Sequence, residues 1–266
     1  MELSSVFRTS EWILISVFLL ALLVAVGLGN ALGRRYQKST TDSARTYASG
    51  ILAGTIGLLG LILGFSFSMA LSRYEAAKSQ MVSEANAIGT AYLRSQALGP
   101  NDARIAKGLF SDYATALDEY YKLGLNSQAA EATGQKLSQL SSKLWSELIV
   151  ISRTNHDMVP TGLYMQALNE MIDQSSLRLN LIQFHIPEPI YALLLIISVL
   201  TLGLAGYVAG LGSLQRSASS TILAIMVALV FLVIIDLERP KRGFIRVENT
   251  RIEELQKSVQ GKLEPN

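Results

Sequence analysis

The chain has 266 residues, 50% of them hydrophobic and only 17% charged, with a formal net charge of +2 and no cysteine. A soluble domain carries roughly 25% charged residues; here the deficit is confined to four windows free of Asp, Glu, Lys and Arg, which marks an integral membrane protein. Without cysteine, disulfides, thiolate catalysis, CxxC zinc sites and cysteine-ligated iron–sulfur clusters are excluded, and neither the near-neutral charge nor any basic block points to nucleic acid.

In chain order, the charge-free windows are residues 12–33, 46–72, 189–215 and 217–235. Each suffices for a helix crossing a hydrocarbon core of about 30 Å, which takes roughly 20 residues. The first window far exceeds the 7–15 apolar residues of a signal h-region and is followed by Arg34 and Arg35, so it reads as a retained anchor. In the second, Gly50, Gly54, Gly57, Gly60 and Gly64 follow one another at steps of four, three, three and four, which draws a stripe of small residues along a helix. Two readings stay open for this stripe and for Ser68 beyond it: a surface on which another helix packs closely, or the lining of a permeation path.

Residues 73–188 form a polar stretch large enough for a domain. The second span is expected to run on without a breaker to Gly99-Pro100, and Asn101 or Asp102 to cap a helix bearing Leu109, Tyr113, Leu117 and Tyr120 or Tyr121. A third helix shows Leu137, Leu140, Leu144, Leu148 and Ile151; a fourth is expected from Pro160 to about Phe184, before His185-Ile186-Pro187 breaks the chain. After the fourth span comes a polar tail, residues 236–266, with Pro240 and Gly243 near its start and a short amphipathic helix expected from Glu248 to about Val259. Asp236 and Arg239 read as a membrane-interface pair. Glu75, Glu84, Asp118, Glu119, Glu147, Glu170 and Asp173 read as solvated helix faces.

Nothing here suggests an enzyme. His156 beside Asp157 has no nucleophile motif with it, His185 reads as interfacial, and the glycines near Gly27-Leu28-Gly29-Asn30 and Gly210-Leu211-Gly212 lack the preceding strand that a nucleotide loop needs. No metal site or cofactor is expected. An even number of spans puts both termini and the polar domain on one side. Ten basic residues near the span ends on that side, against Arg34, Arg35, Lys38, Arg45 and Arg216 opposite, place it in the cytoplasm, although the first hairpin taken alone points the other way.

Leu63-Gly64-Phe65-Ser66-Phe67-Ser68, followed by Ser72-Arg73-Tyr74, resembles the second membrane helix of bestrophins. The wider pattern is similar to a bestrophin-like family of bacterial integral membrane proteins: Glu84-Ala85-Asn86-Ala87-Ile88-Gly89 after the second span, Leu168-Asn169 and Ser176-Leu177-Arg178 before the third, and Asp236-Leu237-Glu238-Arg239-Pro240 after the fourth. The resemblance implies an all-α, four-span protein with a helical cytoplasmic domain between spans two and three, assembled in the inner membrane among lipids as a homo-oligomer, a pentamer in bestrophins, that conducts an inorganic anion. It implies a narrow neck at Gly57, Leu61 and Phe65, with Gly57 standing where a bulky residue is expected. It gives no support for calcium activation, since the acidic run of eukaryotic members is replaced by Glu238-Arg239-Pro240-Lys241-Arg242. The competing reading is a non-conducting membrane scaffold or sensor whose helical domain binds a partner protein.

Overall fold

The computed structural model describes residues 11–123, 128–154, 157–183, 188–212, 218–238 and 250–261. The described residues form eight helices and no strand: α1 (Glu11–Tyr36), α2 (Asp42–Ser95), α3 (Pro100–Lys122), α4 (Gln128–Thr154), α5 (Met158–Gln183), α6 (Glu188–Leu211), α7 (Ala218–Leu237) and α8 (Thr250–Val259). Four of them, α1, α2, α6 and α7, are long and apolar enough to cross a membrane. The chain divides into two compact units, the first from Met1–Arg73 and Ile186–Arg239, the second from Tyr74–His185 and Pro240–Asn266.

In the membrane unit, α1 and α6 meet along glycine. A Cβ built on Gly29 would lie inside the Gly203 carbonyl and 2.9 Å from the Tyr207 nitrogen; one on Gly33 would press on the Tyr207 carbonyl and stand 3.0 Å from the Gly210 Cα. Gly206 would likewise strike the Val26 carbonyl, and Gly210 that of Asn30. Only glycine lets the two backbones approach so closely, and such small-residue seams hold membrane helices together where lipid removes the hydrophobic drive. The paired numbers rise together, 26 with 206 and 30 with 210, so α1 and α6 run in the same direction, as first and third spans of a serpentine chain must. Two of the glycines set aside above as irrelevant to nucleotides, Gly29 and Gly210, therefore belong to this seam. At its other edge Phe18 of α1 stacks on Phe231 of α7 at 4.3 Å, and Tyr191 of α6 meets the same ring edge-on at 6.3 Å.

The second unit is a soluble-type helical bundle. Its core holds Ile88 of α2, Phe110, Tyr113 and Leu117 of α3, Leu137, Leu144 and Leu148 of α4, and Tyr164, Leu168 and Met171 of α5. The residues expected to line α4 are all buried, and in α3 Tyr113, Leu117 and Tyr120 are, whereas Leu109 is only half-buried and its neighbour Phe110 takes the core position. Two helix starts differ from expectation. Gly99 occupies the N-cap of α3 and Pro100 begins it, because proline's missing N–H costs nothing at the first position. Similarly α5 starts at Met158, two residues before Pro160, which sits in its first turn. The tail helix α8 lies on α3: Ile252, Leu255 and Val259 are buried, and Gln256 and Gln260 donate to the Thr115 hydroxyl at 3.4 and 3.3 Å.

Candidate functional site

The site is built on α2, a single helix of 54 residues, about 80 Å at 1.5 Å per residue. Within the membrane unit its buried residues are Leu59, Leu63, Ser66 and Ala70, at steps of four, three and four, hence one face. Half a turn away, on the face that the rest of the chain leaves open, stand Gly50, Gly54, Gly57, Leu61, Gly64, Phe65 and Ser68, with Gly60 at its margin. Leu61 is 55% exposed and Phe65 66%, and a Cβ on any of the five stripe glycines would meet nothing within 4 Å. Of the four spans α2 is the least covered: 11% of its most apolar stretch is buried, against 22% to 39% in the others. The two glycine patterns thus differ in kind. The α1–α6 glycines are filled by a neighbouring backbone, and the α2 stripe meets nothing within 4 Å among the described residues.

Where α2 leaves the membrane unit, the Arg73 Nε stands 3.0 Å from Glu238 Oε1 as an ion pair, with the Glu238 side chain 1% exposed. Asp236 is buried, and Arg239, like His156 and His185, lies outside the described residues, so the interface pair expected of Asp236 and Arg239 falls there too.

In the helical unit, α2 buries Met81, Glu84, Ile88, Ala91 and Ser95. Glu84 is fully buried and paired with Arg178 of α5, itself 4% exposed, which corrects its reading as a solvated residue. Asp118, read the same way, is also buried and accepts from Lys122 Nζ at 2.7 Å. Around the Glu84–Arg178 pair, the Tyr121 hydroxyl donates to Glu84 Oε2 at 3.2 Å, Arg178 donates to the Ser175 hydroxyl at 3.2 Å, and the guanidinium lies 4.9 Å above the Tyr120 ring. Burial, reinforced by the Glu84 charge, holds the Tyr121 hydroxyl above the usual tyrosine range; burial raises Tyr113 in the same way. Burial opposes the charge on Arg178, but Glu84 and the surrounding tyrosine oxygens outweigh it and keep the guanidinium protonated. Further along, Gln80 donates to the carbonyl and side chain of Gln174 and Arg94 to the Leu163 carbonyl, so polar contacts bind α2 to α5 along its length. The signal for this cluster was present in the sequence: Glu84 stands among Met81, Ala85 and Ile88 at core spacing, where a charge needs an internal partner.

Among the described residues no group of His, Asp or Glu is arranged to hold a metal. In sequence, the model of the bestrophin-like domain matches residues 17–252. No curated protein matches significantly. Solved structures are similar in fold at low identity. A crystal structure of a membrane protein superposes with a TM-score of 0.69 at 12% identity, covering 93% of this chain and 98% of that one. A point mutant of a bacterial bestrophin homologue from Klebsiella pneumoniae gives 0.66 at 14% identity, covering 91% and 97%. A further membrane-protein mutant gives 0.67 at 14%, covering 95% and 99%.

Proposed function

The chain belongs to the bestrophin-like family, and on that premise we propose that it is one subunit of a homo-oligomeric ion channel in the inner membrane, with the conduction path running along the open face of α2. The observation that carries this reading is that face. Small residues gain little from lipid, and in membrane helices they gather where another backbone approaches or where space is left. No helix among the described residues covers the stripe, and four spans are too few to enclose a pore, so copies of the chain arranged in a closed ring supply what is missing. Five copies is the number that the bestrophin resemblance implies. The helical unit and both termini then face the cytoplasm, the side with more basic residues at the span ends.

In such a ring Leu61 and Phe65, one turn apart and both exposed, would form an apolar neck, with Gly57 a turn away leaving its entrance wide. A narrow passage that offers water no hydrogen bonds gates by dewetting. That neck has no charge with which to choose between cations and anions; an inorganic anion is the cargo that the resemblance implies.

Phe65→Ala should raise liposome ion flux or abolish gating while native mass spectrometry still shows the oligomer, and Gly57→Phe should lower flux. If Phe65 instead packs between helices, its truncation costs about 3–5 kcal/mol, so a lower melting temperature without increased flux would remove the neck assignment.

A further inference from the structure

At one end of the membrane unit, charges that the spans exclude are gathered into a single turn. Helix α1 stops at Tyr36 and α2 starts at Asp42, and between residues 34 and 45 Arg34, Arg35, Lys38 and Arg45 stand against Asp42 alone, a net charge of +3. The turn is closed by its own polar groups: the Ser39 and Thr40 hydroxyls donate to the Tyr36 carbonyl at 3.0 and 2.7 Å, and Arg45 Nη2 reaches back to the Gln37 carbonyl at 3.1 Å. Arg45 also stands 3.8 Å from the Asp42 carboxylate, so the one anion of the turn is already matched. Arg34, Arg35 and Lys38 are exposed, and no described residue gives their side chains an ion pair or hydrogen bond.

Their depth follows from the helices around them. Arg34 comes directly after the charge-free window of α1 and Arg45 directly before that of α2. Helix α6 ends beside them, since a Cβ on Gly210, one residue before its end, would lie 2.9 Å from the Arg34 nitrogen. Three span ends meeting there mark the edge of the hydrocarbon. Tyr36 and Tyr47, both exposed, flank the cations, and tyrosine rings at that depth sit among lipid headgroups. Below them Leu28 and Leu32, exposed at 68% and 51%, share one face of α1 with Arg35 at steps of four and three.

We propose that this hairpin binds an anionic phospholipid, its phosphodiester held by Arg34, Arg35 and Lys38 and an acyl chain lying along Leu28 and Leu32. The inference needs only a chain that spans the membrane and stands apart from the channel reading. A guanidinium presents parallel N–H donors that match two phosphate oxygens, and the apolar face beneath Arg35 is what a lipid can use and a free phosphate cannot. Orientation alone does not explain the cluster, because on the topology proposed above it lies on the side with fewer basic residues.

The test uses the full chain with Ser43→Cys, an exposed position in the first turn of α2, labelled with a fluorophore in a sequence that has no other cysteine. In phosphatidylcholine liposomes, phosphatidylglycerol brominated high on its acyl chains should quench the label more than the same fraction of phosphatidylcholine brominated alike. A cation near a charged lipid surface contributes about fivefold in affinity, so Lys38→Gln should lower the preference about fivefold. Arg34→Gln, Arg35→Gln and Lys38→Gln together should bring the two lipids to parity, whereas Arg34→Lys with Arg35→Lys should keep most of the preference. Should the triple variant not assemble, Lys38→Gln still decides. Equal quenching by the two lipids in the wild type would overturn the proposal, as would a preference that survives in the triple variant or is unchanged by Lys38→Gln. Inorganic phosphate should leave the wild-type quenching as it is; displacement of the brominated lipid by millimolar phosphate would overturn the lipid as occupant in favour of a free anion.

Discussion

Replacing Gly206 by alanine tests the seam between α1 and α6. The added methyl would lie 2.9 Å from the Val26 carbonyl carbon, 3.0 Å from its Cα and still closer to its oxygen. All three are backbone atoms, so no rotamer change relieves the clash and the two helices must separate. Overpacking of this kind costs typically 1–3 kcal/mol, while alanine returns up to about 1 kcal/mol over glycine in helix propensity; the net expectation is a loss of about 1 kcal/mol. Gly57→Ala is the matched control, because its methyl would meet nothing within 4 Å and only the propensity gain remains within the subunit. Thermal unfolding in detergent should therefore show Gly206→Ala below the wild type and Gly57→Ala at or above it. The double variant Gly29→Ala with Gly206→Ala should lose less than the sum of the singles, since the first methyl has already forced apart the helices that the second would strike. A Gly206→Ala protein as stable as the wild type, or fully additive losses, would refute the close approach.

Glu84→Ala and Arg178→Ala should each destabilise the helical unit by about 3–5 kcal/mol, because either leaves a buried charge without its partner; the double variant should recover much of that loss in a denaturation-based mutant cycle, and single losses under 1 kcal/mol would contradict the burial. The helical unit should also weaken at alkaline pH. Tyr113 and Tyr121 are held protonated in the fold above their unfolded value of about 10, so they contribute stability that is full below pH 10 and is lost as pH rises toward the folded values; Tyr121→Phe should flatten melting temperature against pH in that range. Finally, single cysteines at Ser39 and Ser258 of this cysteine-free chain, probed on intact cells with an impermeant thiol reagent, should label at position 39 only, and labelling at 258 alone would invert the proposed orientation.

The elements of this fold were legible for two separate reasons. Charge-free windows located α1, α2, α6 and α7, because hydrocarbon excludes ionised side chains over a fixed thickness, and the spacing of Leu137, Leu140, Leu144, Leu148 and Ile151 located α4 and the largest of its buried side chains. Proline misled at α3 and α5, where it begins a helix as readily as it ends one. Charge misled at Glu84 and Asp118. A carboxylate on a helix is solvated by default; the core spacing of Met81, Ala85 and Ile88 marks Glu84 as facing inward, but its partner Arg178 comes from a helix some ninety residues away in sequence, a tertiary contact that no local pattern contains.

The glycines show where sequence pattern stops. Gly29 and Gly33, like Gly206 and Gly210, are spaced by four, as are Gly50 and Gly54 or Gly60 and Gly64, and by spacing alone any of these pairs can be a packing seam. The structure separates them by what stands opposite: backbone carbonyls for the first two pairs, nothing for the others. A seam already filled within the chain contributes to the subunit's own stability and is spent there. An open stripe leaves its close approach to be made by another copy or by whatever moves along it, so within the subunit its glycines bring only their helix-propensity cost. Substitutions in the seam should therefore register in the melting of the subunit, whereas substitutions on the α2 face should register in assembly and flux, and it is this division of readouts that connects the position of each glycine to what it does.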